Sequence, residues 1–208
     1  MMKYTEFVDM LSKAVNCKTL YILGCFGAPM NASNKKRYTN NYDYNKDPVR
    51  KEKILNASDD TFGFDCVCLL KGVLWGWCGD KTKEYGGAIY KSNGVPDINA
   101  DDFYKACTIK SKDFSNVPVG AILHNKGHVG VYVGAGYAIE CTPKNSDGVQ
   151  RTIVKNIKNY NSEGVITRTW DEWGLSPYVD YSSSTDEPKE LLHTIYDMLK
   201  DAKTKGVF

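Results

Sequence analysis

The chain has 208 residues, 42% of them hydrophobic, with a formal net charge of +2, seven cysteines and three histidines. That apolar content suits one buried core, and no apolar run approaches the roughly 20 residues of a membrane span, so no membrane insertion is expected. Lysines and arginines are scattered among acids, which excludes the footprint of a nucleic-acid partner. The odd number of irregularly spaced cysteines excludes a disulfide framework, and Cys66, Cys68 and Cys78 lack the spacing of a structural zinc site; no metal and no cofactor are expected.

Residues 1–15 read as an amphipathic helix interrupted by charges rather than as a signal peptide, so synthesis in the cytoplasm without an export signal is expected. Tyr21-Ile22-Leu23-Gly24 follows. Residues 28–61 read as a surface insertion, rich in Asn, Lys and Tyr and containing Pro48. A short helix is expected there near Val49 to Leu55, the rest being an irregular loop. Tyr38, Tyr42 and Tyr44 read either as contacts beside a cleft or as cover for the fold.

Gly63-Phe64-Asp65-Cys66 then reads as a turn that delivers a cysteine to the first turn of a helix, with Leu69, Leu70, Val73, Leu74 and Trp77 at helical spacing. The backbone N–H groups and positive dipole end at such a position favour the thiolate, which predicts a lowered thiol pKa. The alternative is a small buried hydrophobe at a helix start. Downstream, Asn99 followed by Asp101 and Asp102 predicts a capped short helix over residues 98–106.

Residues 117–124 lead into a strand. After it, Val129, Val131 and Val133, then Tyr137, Ile139 and Cys141, alternate as two half-buried strands joined by a glycine-containing turn. A three-residue loop Gly134-Ala135-Gly136 of the bulged kind would pair Val133 with Tyr137, Val131 with Ile139 and Gly130 with Glu140. His128, Gly130, Tyr132, Ala138 and Glu140 then share a face, and Glu140 is the diagonal neighbour of His128. A plain two-residue turn would put Glu140 on the other face. His124, at a strand end before a turn, is the rival base and reads as solvated. Further strands are expected at 150–154 and 165–169, then a polar linker over 182–190. Leu191, Leu192, Ile195, Met198 and Leu199 form the stripe of a C-terminal amphipathic helix. Helices first and antiparallel strands after make an α+β fold class.

Cys66, His128 and Glu140 supply a nucleophile, a base and an orienting carboxylate, a set suited to acyl transfer. Phe64-Asp65-Cys66, His128-Val129-Gly130-Val131-Tyr132 and Glu140 twelve residues after the histidine resemble the NlpC-type, papain-like cysteine peptidoglycan hydrolases. Val67-Cys68 departs from the family's Ser-Gly, and Glu140 stands where a second histidine is usual. The resemblance covers residues 1–181 and implies a catalytic domain with N-terminal helices packed on a central antiparallel sheet. It implies Cys66, His128 and Glu140 as catalytic residues, and Tyr21 and Asp65 as substrate or oxyanion residues.

The implied partner is the bacterial peptidoglycan stem peptide, and the implied reaction is amide cleavage as an endopeptidase or an N-acetylmuramoyl-L-alanine amidase. Trp170-Asp171-Glu172-Trp173-Gly174-Leu175 and the segment to Tyr181 resemble the closing part of endolysins from phages of Gram-positive bacteria, implying action on the wall after release from the cytoplasm. Two other readings stay open: another Cys-His acyl transferase or deamidase, and an inactive wall-binding or phage-structural protein.

Overall fold

The computed structural model describes residues 1–157 and 166–182. Strand β1 (Met2–Lys3) runs into helix α1 (Tyr4–Val15), whose Phe7, Leu11 and Ala14 recur on one face and are fully buried. Strands β2 (Thr19–Tyr21), β3 (Phe26–Pro29) and β4 (Phe62–Phe64) form a three-stranded sheet in which β4 lies parallel to β2 and antiparallel to β3. Its outcome is to bring Tyr21 beside Phe64, two residues before Cys66.

Between β3 and β4 the expected irregular loop is instead three helices, α2 (Ala32–Asn41), α3 (Asp43–Lys46) and α4 (Pro48–Asn56), the last matching the one helix expected. The signals were local caps. Asn31 accepts from the Asn34 N–H at 3.0 Å, and Asp47 accepts from Val49 at 3.0 Å with Pro48 in the first helical position. Sparse apolar residues hid the pattern, because Tyr38 and Ile54 alone point from these helices into a small core with Ile22, Cys25, Ala28 and Met30. The insertion is also bolted to the body. Asn45 exchanges two hydrogen bonds with the Leu23 backbone, at 3.1 and 2.9 Å. Arg50 reaches the Tyr21 carbonyl and both Asp147 oxygens, the latter at 2.7 and 2.6 Å, and Lys53 adds a third contact to Asp147 at 2.7 Å.

Helix α5 (Cys66–Leu74) is buried at every residue, not on one stripe, so it is a central helix. Val67 and Cys68 fit this: at 7% and 5% exposure they are packing residues. Helix α6 (Ala100–Lys105) starts at the expected cap, Asn99 accepting from the Asp102 N–H at 2.8 Å.

Strands β5 (Ile109–Ser111), β6 (Ile122–Asn125), β7 (His128–Gly134), β8 (Tyr137–Thr142), β9 (Gly148–Val154), β10 (Thr167–Arg168) and β11 (Glu172–Leu175) form a seven-stranded sheet ordered β10-β9-β8-β7-β6-β11-β5. It is antiparallel except at its β10/β9 edge. Strand β12 (Val179–Asp180) returns to pair with β1. The class is α+β, with helices packed on a central, mostly antiparallel sheet.

The alternating strands are covered on both faces rather than half-buried. Val129, Val131, Ile139 and Cys141 join the core around α5, while Leu123, Tyr132 and Ala138 pack with Trp170 and Trp173 in a second core. Each fully buried aliphatic chain contributes about 1.5–3 kcal/mol. The expected C-terminal linker from residue 183 onward, its helix and residue 165 of the expected strand lie outside the described residues. Among the described residues no helix is long and apolar enough to cross a membrane.

The β7–β8 turn corrects the expected loop. Gly134 pairs with Tyr137, leaving a two-residue Ala135-Gly136 turn, yet Val131 still faces Ile139 and Gly130 still faces Glu140. A bulge at Val133, between the Tyr132 and Gly134 pairs, restores the register that a plain two-residue turn would lose. Gly134, Ala135 and Gly136 all take positive φ, of 93°, 50° and 79°.

Candidate active site

Cys66 is the first residue of α5, and Asp65 is its N-cap. The Asp65 carboxylate accepts from the Cys68 N–H at 2.7 Å and from the Gly24 N–H at 2.7 Å, and is 4% exposed. Burial raises its pKa against these two hydrogen bonds. The Asp65 side chain thus caps the helix start and ties it to the Tyr21–Gly24 segment.

The expected low thiol pKa is overturned. Cys66 is 7% exposed, and burial, reinforced by the neighbouring Asp65 charge, pushes its thiol up to about 12. Backbone N–H groups of Val129, Val67 and Cys66 itself pull the other way and are outweighed. Desolvation of a thiolate exceeds what three neutral dipoles return. Burial thus favours the neutral thiol, and the sulfur lies 4.0 Å from the Gly127 carbonyl oxygen, to which it donates.

Gly127 and Val129, which both touch the sulfur, flank His128 at the start of β7. The His128 Nε2 and the Glu140 Oε2 are 2.6 Å apart, which leaves Nδ1 as the nitrogen for proton exchange. Glu140 is fully buried and takes two further donors, the Thr152 hydroxyl at 2.9 Å and the Arg168 Nε at 2.7 Å. Burial would raise its pKa, but the His128 and Arg168 contacts bring it below the ordinary carboxylate value. The His128 ring lies on Trp170, with centroids 5.5 Å apart and planes 8° from parallel. Gly130 makes this possible: a Cβ there would come within 2.8 Å of the Trp170 ring and 3.1 Å of the Ile139 carbonyl oxygen.

Arg168, Thr152 and Trp170 were not singled out in the sequence as parts of this site. Thr152 had a legible signal, since a strand at 150–154 pairing with β8 sets Thr152 opposite Ala138, beside Glu140. Arg168 fell within the strand expected at 165–169, but nothing in the sequence aimed it at Glu140, 28 residues away. His124, expected to be solvated, is 9% exposed and lies with Nε2 2.9 Å from Asp101 and Nδ1 3.1 Å from Glu172, stacked on Tyr104. Both its nitrogens are taken. The same Asp101 oxygen also accepts from the Gly127 N–H at 2.6 Å, so His124 braces the turn beside Cys66.

A cleft of about 630 Å³ opens over Cys66, lined by Tyr21, Lys71 and Gly127 and, on the insertion side, by Arg37, Asn41 and Tyr42. Burial, then the Cys66 and Asp65 groups, push the Tyr21 hydroxyl above its ordinary pKa, which keeps it a hydrogen-bond donor in the cleft that Cys66 also lines. Of the other tyrosines, Tyr38 is 1% exposed and chiefly a core residue, and Tyr44 meets Tyr21 edge-on at 5.7 Å.

No protein-family model and no curated protein matches the chain. Among solved structures it is similar to the peptidoglycan hydrolase RipB from Mycobacterium tuberculosis, at 14% identity and a TM-score of 0.43, over 86% of this chain and 65% of that one. It is also similar to NlpC1 from Trichomonas vaginalis, at 15% identity and a TM-score of 0.38, over 82% of this chain and 42% of that one. The P60 domain of an antigen from M. avium subspecies paratuberculosis is similar at 16% identity and a TM-score of 0.40, over 86% of this chain and 98% of that one. The chain therefore spans less than two thirds of RipB and of NlpC1.

Proposed function

We propose that the chain is a cysteine hydrolase that cleaves an amide bond in the peptide part of bacterial cell wall through a Cys66 thioester. The observation that carries the reading is the 2.6 Å contact of His128 with a buried, ionised Glu140, at the strand start whose backbone holds the Cys66 sulfur. The substrate class rests on the sequence resemblance at Phe64-Asp65-Cys66 and His128–Tyr132.

In this reading His128 takes the Cys66 proton at Nδ1 as the thiolate attacks the amide carbon. Glu140 holds the ring and stabilises the imidazolium. The Cys66 backbone N–H and the Tyr21 hydroxyl donate to the oxyanion, His128 protonates the leaving amine, and water then hydrolyses the thioester. The proton transfer is coupled to substrate arrival, because the resting thiol is held neutral by burial. An endolysin role, and the choice between endopeptidase and N-acetylmuramoyl-L-alanine amidase, belong to the same proposal.

One observation favours a wall-binding protein without turnover instead: Cys66 is more than nine-tenths covered. Mass spectrometry of fragments released from purified Gram-positive walls separates the two. The hydrolase reading expects new amino and carboxyl ends at one stem-peptide bond, and their loss by at least about 10³-fold in Cys66→Ala. Unchanged release by that variant, or wall binding with no fragments from the unaltered protein, overturns it.

A further inference from the structure

The cleft over Cys66 carries charge that the hydrolytic machinery does not use. Two cations line it, Arg37 and Lys71. Lys71, on α5, is already matched: its side chain is 4% exposed, its Nζ lies 2.5 Å from Asp97 and 2.9 Å from the Ile98 carbonyl oxygen, and the other Asp97 oxygen accepts from Tyr90 at 2.7 Å. That group is a closed neutral set. Asp65, the other acid of the lining, has its oxygens on backbone N–H groups.

Arg37 differs. It projects from α2 with 45% of its side chain exposed, and the carboxylate facing it, Glu84, is 3.6 Å away and 68% exposed. Such a pair is screened by water and holds little energy. What fixes the guanidinium is aromatic and neutral. Its Nη1 donates to the Tyr85 hydroxyl at 2.5 Å, and its carbon lies 5.6 and 5.5 Å from the Tyr38 and Tyr85 ring centroids. Tyr85 is in turn stacked on Phe26 at 4.3 Å. Asn41, one helical turn further on, lines the same wall and adds an amide donor. A guanidinium held against two rings, with Nη1 on Tyr85, carries further N–H groups on a half-exposed side chain that lines the cleft, and a carboxylate matches these.

We propose that Arg37, presented by the inserted helix α2, is a specificity-determining residue that binds a free carboxylate on the peptide lying in the Cys66 cleft, so that acidic peptides are selected over their amidated forms. The proposal rests on the peptide-hydrolase reading for the nature of the ligand, and on the cleft's charge distribution for its recognition.

The test uses the full chain with Cys66→Ala, so that binding is measured without turnover. The probes are an Ala-Glu-Lys tripeptide with the glutamate carboxylate free and the same tripeptide with that carboxylate amidated. Calorimetry is expected to show the acid bound about tenfold tighter than the amide, a difference of about 1.4 kcal/mol. Adding Arg37→Ala is expected to bring that preference below about twofold, and Arg37→Lys to retain part of it. Arg37 is a half-exposed side chain, and unchanged melting of these variants confirms the fold. Equal binding of the two peptides, or a preference that survives Arg37→Ala, overturns the proposal. The two readings fail separately. Arg37-dependent preference with no cleavage by the Cys66 protein overturns the hydrolase reading and leaves the carboxylate site standing. Cleavage of both peptides at equal kcat/KM keeps the hydrolase and removes the role of Arg37.

Discussion

Cys66 combines two opposed demands. Its place at the start of α5 gives it the backbone donors that stabilise negative charge, but its covering by Gly127 and Val129 removes the water that a thiolate needs. Burial wins, so the thiol stands at about 12, well above the roughly 8.5 of a free cysteine. The sign follows directly. Thiolate is scarce at neutral pH and increases as pH rises toward the folded value. Alkylation of Cys66 by iodoacetamide, followed by peptide mass spectrometry, is therefore expected to accelerate steadily between about pH 7 and 10 with no plateau near neutrality. The exposed Cys78 is modified first. A plateau below about pH 7.5 at Cys66 would mean that His128 already holds the proton in the resting state. Cys66, His128 and Glu140 were readable as residues in a pattern. The thiol's energy was not, because helix position is local and desolvation depends on what packs on top.

At the scale of the element, the β7–β8 hairpin decides whether Glu140 and His128 meet. Alternation combined with the expected loop length placed them on one face, and the observed register agrees at Gly130 and Glu140. The means differ: Tyr137 pairs with Gly134 and not with Val133, so a two-residue turn with the bulge in the strand does what a bulged three-residue loop was expected to do. Sequence periodicity constrains which residues share a face, and bulge plus turn length together conserve that parity, so two solutions give one pattern. Ala135 sits in this turn at φ 50°, a left-handed conformation unfavourable for a residue with a Cβ. Replacing it with glycine is expected to stabilise the protein by up to about 1 kcal/mol, less the added entropy of the unfolded chain. Urea denaturation reads this as a higher midpoint at constant slope; a lower midpoint would show that the Cβ contributes packing greater than the strain.

For the whole molecule, the insertion is a wall of the cleft rather than a surface ornament, and Asp147 is the hinge pin. Its carboxylate joins Arg50 and Lys53 of α4 to the β8–β9 connection, and its carbonyl accepts from the Tyr21 N–H at 2.9 Å. Asp147 itself has φ 54°, which asparagine tolerates equally. Asp147→Asn thus keeps the backbone and removes the charge opposite Arg50, whose side chain is 9% exposed. The expected loss is about 2–4 kcal/mol, measured by chemical denaturation, because an uncompensated buried cation remains. Proteolysis within residues 32–56 is expected to rise with it. A loss below about 0.5 kcal/mol would show that the insertion is held by its apolar core alone.

Legible in the residues were the α+β class, the α5 start at Asp65-Cys66 and the Asn99 cap, with the meeting of His128 and Glu140 legible only up to the choice of turn. These follow from local rules: periodicity, capping and strand alternation act over a few residues. Tertiary structure decided the clasp of the insertion on Asp147, the Arg168 donor to Glu140, the Trp170 stack beneath His128, the bracing of His124 and the burial that raises the Cys66 thiol. Each of these depends on groups far apart in the chain, and on how much water their meeting excludes.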